Sequence, residues 1–161
     1  MGYLAQYRGR SIVSKLIRWQ SWGPYSHSAW LCDDGSVWES NMSKRGKARG
    51  LGHVDSLSTT HTPGTVVDLY VCKGLTRARE DRMLSWFEAN AGLPYDWKAI
   101  TRFVTRRWRG SDQAVFCTEA IIRAMISAGY HVIQNVEPWQ VSPSALTTHL
   151  PFRFETSKVT A

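Results

Sequence analysis

Residues 26–39, SHSAWLCDDGSVWE, carry two apolar runs on either side of an Asp-Asp-Gly turn, with His27 near one end and Glu39 at the other. Asp-Gly between β-forming residues signals a hairpin, and the turn type sets its register. If Asp34-Gly35 forms a two-residue type I′ loop, Trp30 faces Glu39, and His27 and Glu39 project from opposite faces. If Asp33-Asp34-Gly35 is a three-residue loop with Gly35 left-handed, Leu31 pairs with Val37 and Trp30 with Trp38. His27 and Glu39 then share one face as diagonal neighbours. A one-residue slip exchanges whole faces, so the matched apolar pairs favour the second register.

Upstream, residues 3–7 read as an edge strand. Ile12, Val13, Leu16, Ile17 and Trp19 then recur at helical spacing, with Ser11 as N-cap and Gly23-Pro24 as the stop. Downstream, residues 43–52 (SKRGKARGLG) are basic and glycine-rich and read as a mobile loop. Residues 65–72 alternate as a half-buried strand. Thr76 caps a helix whose inner face holds Met83, Leu84 and Phe87, and AGLPYDW ends it. Residues 97–108 read as a basic helix, and 114–128 as a helix apolar on more than one side, stopped by Gly129. A short helix follows Pro143, and residues 155–161 read as a frayed tail. The expectation is one α+β domain over 1–161, with a small antiparallel sheet packed against helices.

The 161 residues suffice for a real core, and 43% hydrophobic with 20% charged residues exclude global disorder. The net charge of +7 points to solubility or to an anionic partner such as nucleic acid, a phospholipid headgroup or a cell-wall polymer. Two basic stretches, the loop at 44–49 and Arg102, Arg106, Arg107 and Arg109, offer such a surface, or simply a solvated face. Cys32, Cys72 and Cys117 lie far apart, with no CxxC and no HxxxH. Neither a disulfide framework nor a metal or other cofactor is therefore expected. Basic residues interrupt the apolar ones at the N-terminus, unlike a signal peptide, and no apolar run is long enough to span a membrane. These features suit a cytoplasmic or phage-delivered protein.

A histidine and a glutamate sharing a sheet face supply a base and the group that orients it, which is what a nucleophile needs. Cys117 is the candidate nucleophile, because it falls within or just before the start of the buried helix. There the partial positive charge favours a thiolate and unpaired N–H groups can bind an oxyanion. Thr118 and Tyr25 are oxyanion or substrate candidates, although packing explains Tyr25 as well. Each residue alone also has an ordinary structural explanation: a buried cysteine, a hydrogen-bonded histidine, a solvated glutamate. Cys32 and Cys72 read as packing residues.

YSHSAWLCDDGSVWES followed much later by VFCTEAIIRAM resembles the circularly permuted papain-like enzymes, relatives of the NlpC-type cell-wall hydrolases. That group includes the YiiX-like amidases and the lecithin:retinol acyltransferases. SIVSKLIRW, LPYDW and VSPSAL support the resemblance, which covers about residues 3–150. It implies a permuted papain-like fold and a thiol hydrolase or amidase acting through an acyl-enzyme. Cys117 would be nucleophile, His27 base and Glu39 the orienting carboxylate. The implied substrate is an amide in a peptide or cell-wall fragment. A lipid acyl hydrolase or acyltransferase is the alternative within the fold. A non-catalytic basic module binding nucleic acid or another anionic polymer is the alternative outside it, though no nucleic-acid motif supports it.

Overall fold

The computed structural model describes residues 1–42, 50–96, 113–131, 135–148 and 152–161. The basic loop at 44–49, the basic helix expected over 97–108 and the Arg102–Arg109 run lie outside these. The described residues form an α+β fold: six antiparallel strands and four helices. In chain order these are β1 (Tyr3–Tyr7), α1 (Ile12–Ser21), β2 (His27–Leu31), β3 (Val37–Asn41), β4 (Gly50–Val54) and β5 (Val66–Cys72). α2 (Arg77–Ala89), α3 (Cys117–Ser127), α4 (Pro143–Thr148) and β6 (Phe152–Val159) follow, with a 3₁₀ turn at Pro138–Gln140. Among the described residues no helix is long and apolar enough to cross a membrane.

The hairpin adopts the three-residue loop. Ala29 pairs with Glu39, Trp30 with Trp38 and Leu31 with Val37, and Gly35 takes φ 88°. Asp34 accepts from the Ser36 N–H at 2.9 Å and steadies the turn. The sheet runs β4-β3-β2-β1-β5-β6. β1 is therefore central rather than an edge, because β2 and β5 both pair with it. Its burial matches: every residue after Tyr3 is inaccessible. Two further expectations need correction. Residues 50–54, at the end of the stretch read as a loop, form edge strand β4 on β3. The tail read as frayed is edge strand β6 on β5, and Thr160 beyond it is buried, accepting the Thr65 N–H at 3.0 Å. β6 escapes sequence reading because its side chains are largely exposed and backbone pairing alone holds it.

Alternation along the strands builds a core on each face. Leu4, Trp30 and Trp38 meet Met83 and Phe87 of α2 and Ile121, Ile122 and Met125 of α3. Trp38 and Phe87 stack with ring centroids 5.6 Å apart. The opposite face gathers Ala5, Tyr7, Ala29, Leu31, Val37, Val67 and Leu69, with Leu57 of the β4–β5 connection packed against them. α1 and α2 start where their caps predict. The Ser11 hydroxyl accepts the Ser14 N–H at 3.1 Å, and the Thr76 side chain accepts from Arg79.

Gly50 opens β4 at φ 98°, and a Cβ there would collide with the Leu93 carbonyl oxygen, which itself accepts the Leu51 N–H at 2.8 Å. Gly35 is also left-handed, but open space surrounds it. Gly35→Ala should cost about 1 kcal/mol from backbone conformation alone. Gly50→Ala should cost more, roughly 2 kcal/mol or above, because the clash is with main chain. Urea unfolding midpoints of the two variants check this order.

Candidate active site

Cys117 is the first residue of α3, and three attachments fix that helix start. Val115 bridges to Tyr95, the Ser40 hydroxyl donates to the Val115 carbonyl at 2.8 Å, and Thr118 Oγ1 lies 3.3 Å from Ser28 Oγ. Ser28 in turn donates to Gln6 at 2.9 Å, so a buried polar seam ties β1, β2 and the helix together. Phe116 stands at the N-cap without a capping side chain. Instead, Glu119 reaches back to accept the Phe116 N–H at 3.3 Å and pairs with Arg123 at 2.8 Å. The first intrahelical bond is Ala120 N–H to Phe116, so the amides of Cys117, Thr118 and Glu119 precede it at the positive end of the helix.

His27 begins β2 on the face bearing Glu39, and its Nε2 lies 2.9 Å from Glu39 Oε2. Glu39 is fully buried, and its two oxygens collect four partners. His27 and His61 lie on Oε2 (2.9 and 3.2 Å), and Asn41 (3.3 Å) and Thr60 on Oε1, the last in a very short bond. Burial opposes the charge on Glu39, but the two histidines outweigh it and hold the carboxyl well below its ordinary range. Burial likewise opposes protonation of His27. Even so, the Cys117 sulfur, by charge and hydrogen bond, and Glu39 together raise its pKa to about 10. Burial lowers the pKa of His61, with Glu39 opposing and His27 assisting. His61 therefore sits as a neutral ring donating to the shared carboxylate, stacked on Tyr7 at a 3.8 Å centroid distance.

The structure thus brings Cys117, His27 and Glu39 into one chain of contacts. It does not bring in Tyr25, whose hydroxyl donates to Asp68 at 2.7 Å and meets the Tyr70 hydroxyl at 2.6 Å, a partly buried network completed by Arg8 on Asp68. The Tyr25 hydroxyl is thus engaged away from the Cys117–His27–Glu39 contacts. Thr118 Oγ1 is 3.8 Å from the Cys117 sulfur but is engaged with Ser28, so its side chain anchors the helix. Sequence reading missed His61, Thr60 and Asn41. Asn41 was visible as the residue opposite His27 in the preferred register. The loop residues carry no periodicity, and a histidine in STTHTPG was the one available hint.

A cavity of about 270 Å³ reaches this cluster, lined by Val13, Ile17, His27, Asn41, His61 and Tyr95 among others. A larger cavity, about 610 Å³, lies at the far end of the same sheet face by Tyr3 and Leu31, away from the cluster.

The ion pair has a definite pH signature. His27, raised, stabilises the fold fully below the ordinary imidazole pKa and loses that contribution as pH climbs towards about 10. Glu39, lowered, contributes fully above the ordinary carboxylate range and loses it as pH falls. The stability gap between the protein and Glu39→Gln should therefore be widest near pH ~4.5–6.5 and narrow on both sides. Thermal melts across pH check this.

No protein-family model matches the chain. No curated protein matches it significantly. Among solved structures, it is similar to a crystal structure described as the metalloprotein YiiX from Escherichia coli O157:H7, DUF1105. That match has a TM-score of 0.69 and 15% identity over 98% of this chain and 96% of the other. The chain has a YiiX-like α+β fold.

Proposed function

We propose that this protein is a thiol-dependent hydrolase of the permuted papain-like type, acting on an amide in a peptide or cell-wall fragment. One observation carries the reading: His27 lies between a thiol at a helix start and a buried carboxylate. The Cys117 thiolate attacks the carbonyl carbon, and the oxyanion forms beside the first-turn amides of α3. Imidazolium His27 passes its proton to the departing amine as the C–N bond breaks, leaving a thioester on Cys117. Neutral His27 then takes a proton from water, whose oxygen attacks the thioester and releases acid and thiol. Glu39 keeps Nε2 protonated, so that Nδ1 is the nitrogen turned to this work.

Alkylation of the three cysteines, followed against pH by peptide mass spectrometry, tests the proposal. Burial pushes the Cys72 thiol up to about 11 and raises Cys32 as well, so both serve as slow internal controls. Cys117 should react faster than Cys32 and Cys72 and slow by roughly 10²-fold or more in His27→Ala. A Cys117 as inert as Cys72 would overturn the thiol reading. Once a substrate is in hand, Glu39→Gln should lower kcat by about 10²-fold with KM little changed.

A second reading has its own support. The donor atoms of His27, Glu39 and His61 lie within 4.8 Å of one another, two imidazoles and a carboxylate, a set that fits Zn²⁺, and the similar structure is described as a metalloprotein. These three residues would hold such an ion, which when bound would supply Lewis-acid chemistry. The readings compete for one atom, since His27 Nε2 cannot bind a metal while donating to Glu39. Metal analysis of the purified protein, with alkylation before and after a chelator, separates them. Thiol chemistry predicts no stoichiometric metal and chelator-insensitive alkylation. The metal reading predicts one ion per chain, lost in His61→Asn.

A further inference from the structure

α1 is amphipathic, yet its larger apolar residues face water. Ile17 is 7% exposed, whereas Ile12 is 86%, Leu16 42% and Trp19 71% exposed, and Trp22 at the C-cap is 91% exposed. Spacings of four and three residues put Ile12, Leu16 and Trp19 on one stripe, and left-handed Trp22 (φ 51°) carries it past the helix end. Four large apolar side chains within eleven residues, two of them tryptophan, differ from the scattered exposure normal on soluble surfaces.

The chain that carries the stripe has charge of one sign. Residues 1–32 contain Arg8, Arg10, Lys15 and Arg18 and no aspartate or glutamate. Arg8 is held by Asp68, Lys15 is exposed beside the stripe, and Arg10 is exposed just ahead of the helix. Exposed tryptophans flanked by cations are what an anionic lipid interface accepts: the indoles sit at headgroup depth and lysine stems snorkel to the phosphates. A second copy of the chain fits less well, because each copy carries +7 and would present the same basic rim. We propose that α1 docks this protein on an anionic phospholipid bilayer, with Ile12, Leu16, Trp19 and Trp22 in the interface and Lys15 on lipid phosphates.

The docking orients the candidate active site. Val13, Ser14 and Ile17, on the inner side of α1, line the cavity that holds His27 and His61, and Arg10 stands at the same cavity. One wall of that cavity is thus the inner face of the docking helix. This inference is independent of the chemistry proposed for Cys117.

Co-sedimentation with phosphatidylglycerol–phosphatidylcholine vesicles, against phosphatidylcholine alone, tests it in the full chain. Binding should appear with the anionic vesicles and weaken at least 10-fold in Trp19→Ala/Trp22→Ala. The same variant should melt as the parent does and alkylate Cys117 at the parent rate, since both indoles project into solvent. Lys15→Glu should also weaken binding. Equal binding by the double tryptophan variant, or no vesicle binding at all, would overturn the proposal. So would concentration-dependent dimerisation that the variant abolishes without any vesicle binding, because the stripe would then be a self-association surface. Equal capture by dextran sulfate, unaffected by tryptophan loss, would reduce it to charge alone and overturn it too.

Discussion

A carboxylate taken out of water costs several kcal/mol unless its lone pairs are met, and the local order of this molecule follows from meeting those of Glu39. Its partners come from three pieces of chain: His27 on β2, Asn41 on β3 itself, and Thr60 and His61 on the connection between β4 and β5. The hairpin register must put His27 and Glu39 on one face, and the loop must close over that face, for the charge to survive burial. Losing any one partner leaves a charged oxygen under-satisfied in a low-dielectric setting, which makes the cluster cooperative rather than additive.

The same demand explains why the cluster lies at one end of the sheet. Its middle is filled on both faces, by the Trp30–Trp38–Phe87 layer under α2 and α3 and by the smaller Ala5–Ala29–Val67 layer opposite. Where β2 begins a cavity reaches His27 and His61, and there the start of α3 is tied down by Ser28, Ser40 and Tyr95. In the proposed chemistry, a thiol at a fixed helix start beside a protonated imidazole would need little rearrangement to react, which is the physical content of preorganisation.

Much of this was legible because it is local. Caps at Ser11 and Thr76, the Asp33-Asp34-Gly35 loop and the pairing of Trp30 with Trp38 follow from turn chemistry and periodicity, and the structure adopts them. Sequence order misjudged β1, because centrality depends on which distant strands arrive, and β5, some sixty residues on, pairs with it. β4 and β6 were hidden for a related reason. Their residues are glycine-rich or polar, and backbone pairing with a distant strand stabilises them. The tyrosine beside His27 looked available from sequence, but its hydroxyl is spent on Asp68, a residue on another strand.

By itself, then, the sequence determined the α+β class, the helix starts capped by Ser11 and Thr76, the hairpin register and the placement of His27 with Glu39 on one face. These depend on side-chain period and on steric rules spanning a few residues. Only the tertiary structure decided that the Cys117 helix start, packed on the other face, comes within reach of His27, that His61 and Thr60 close over Glu39, and that α1 leaves its tryptophans in water. Those outcomes depend on long-range packing and on the electrostatic cost of an unsatisfied buried charge, which no local pattern records.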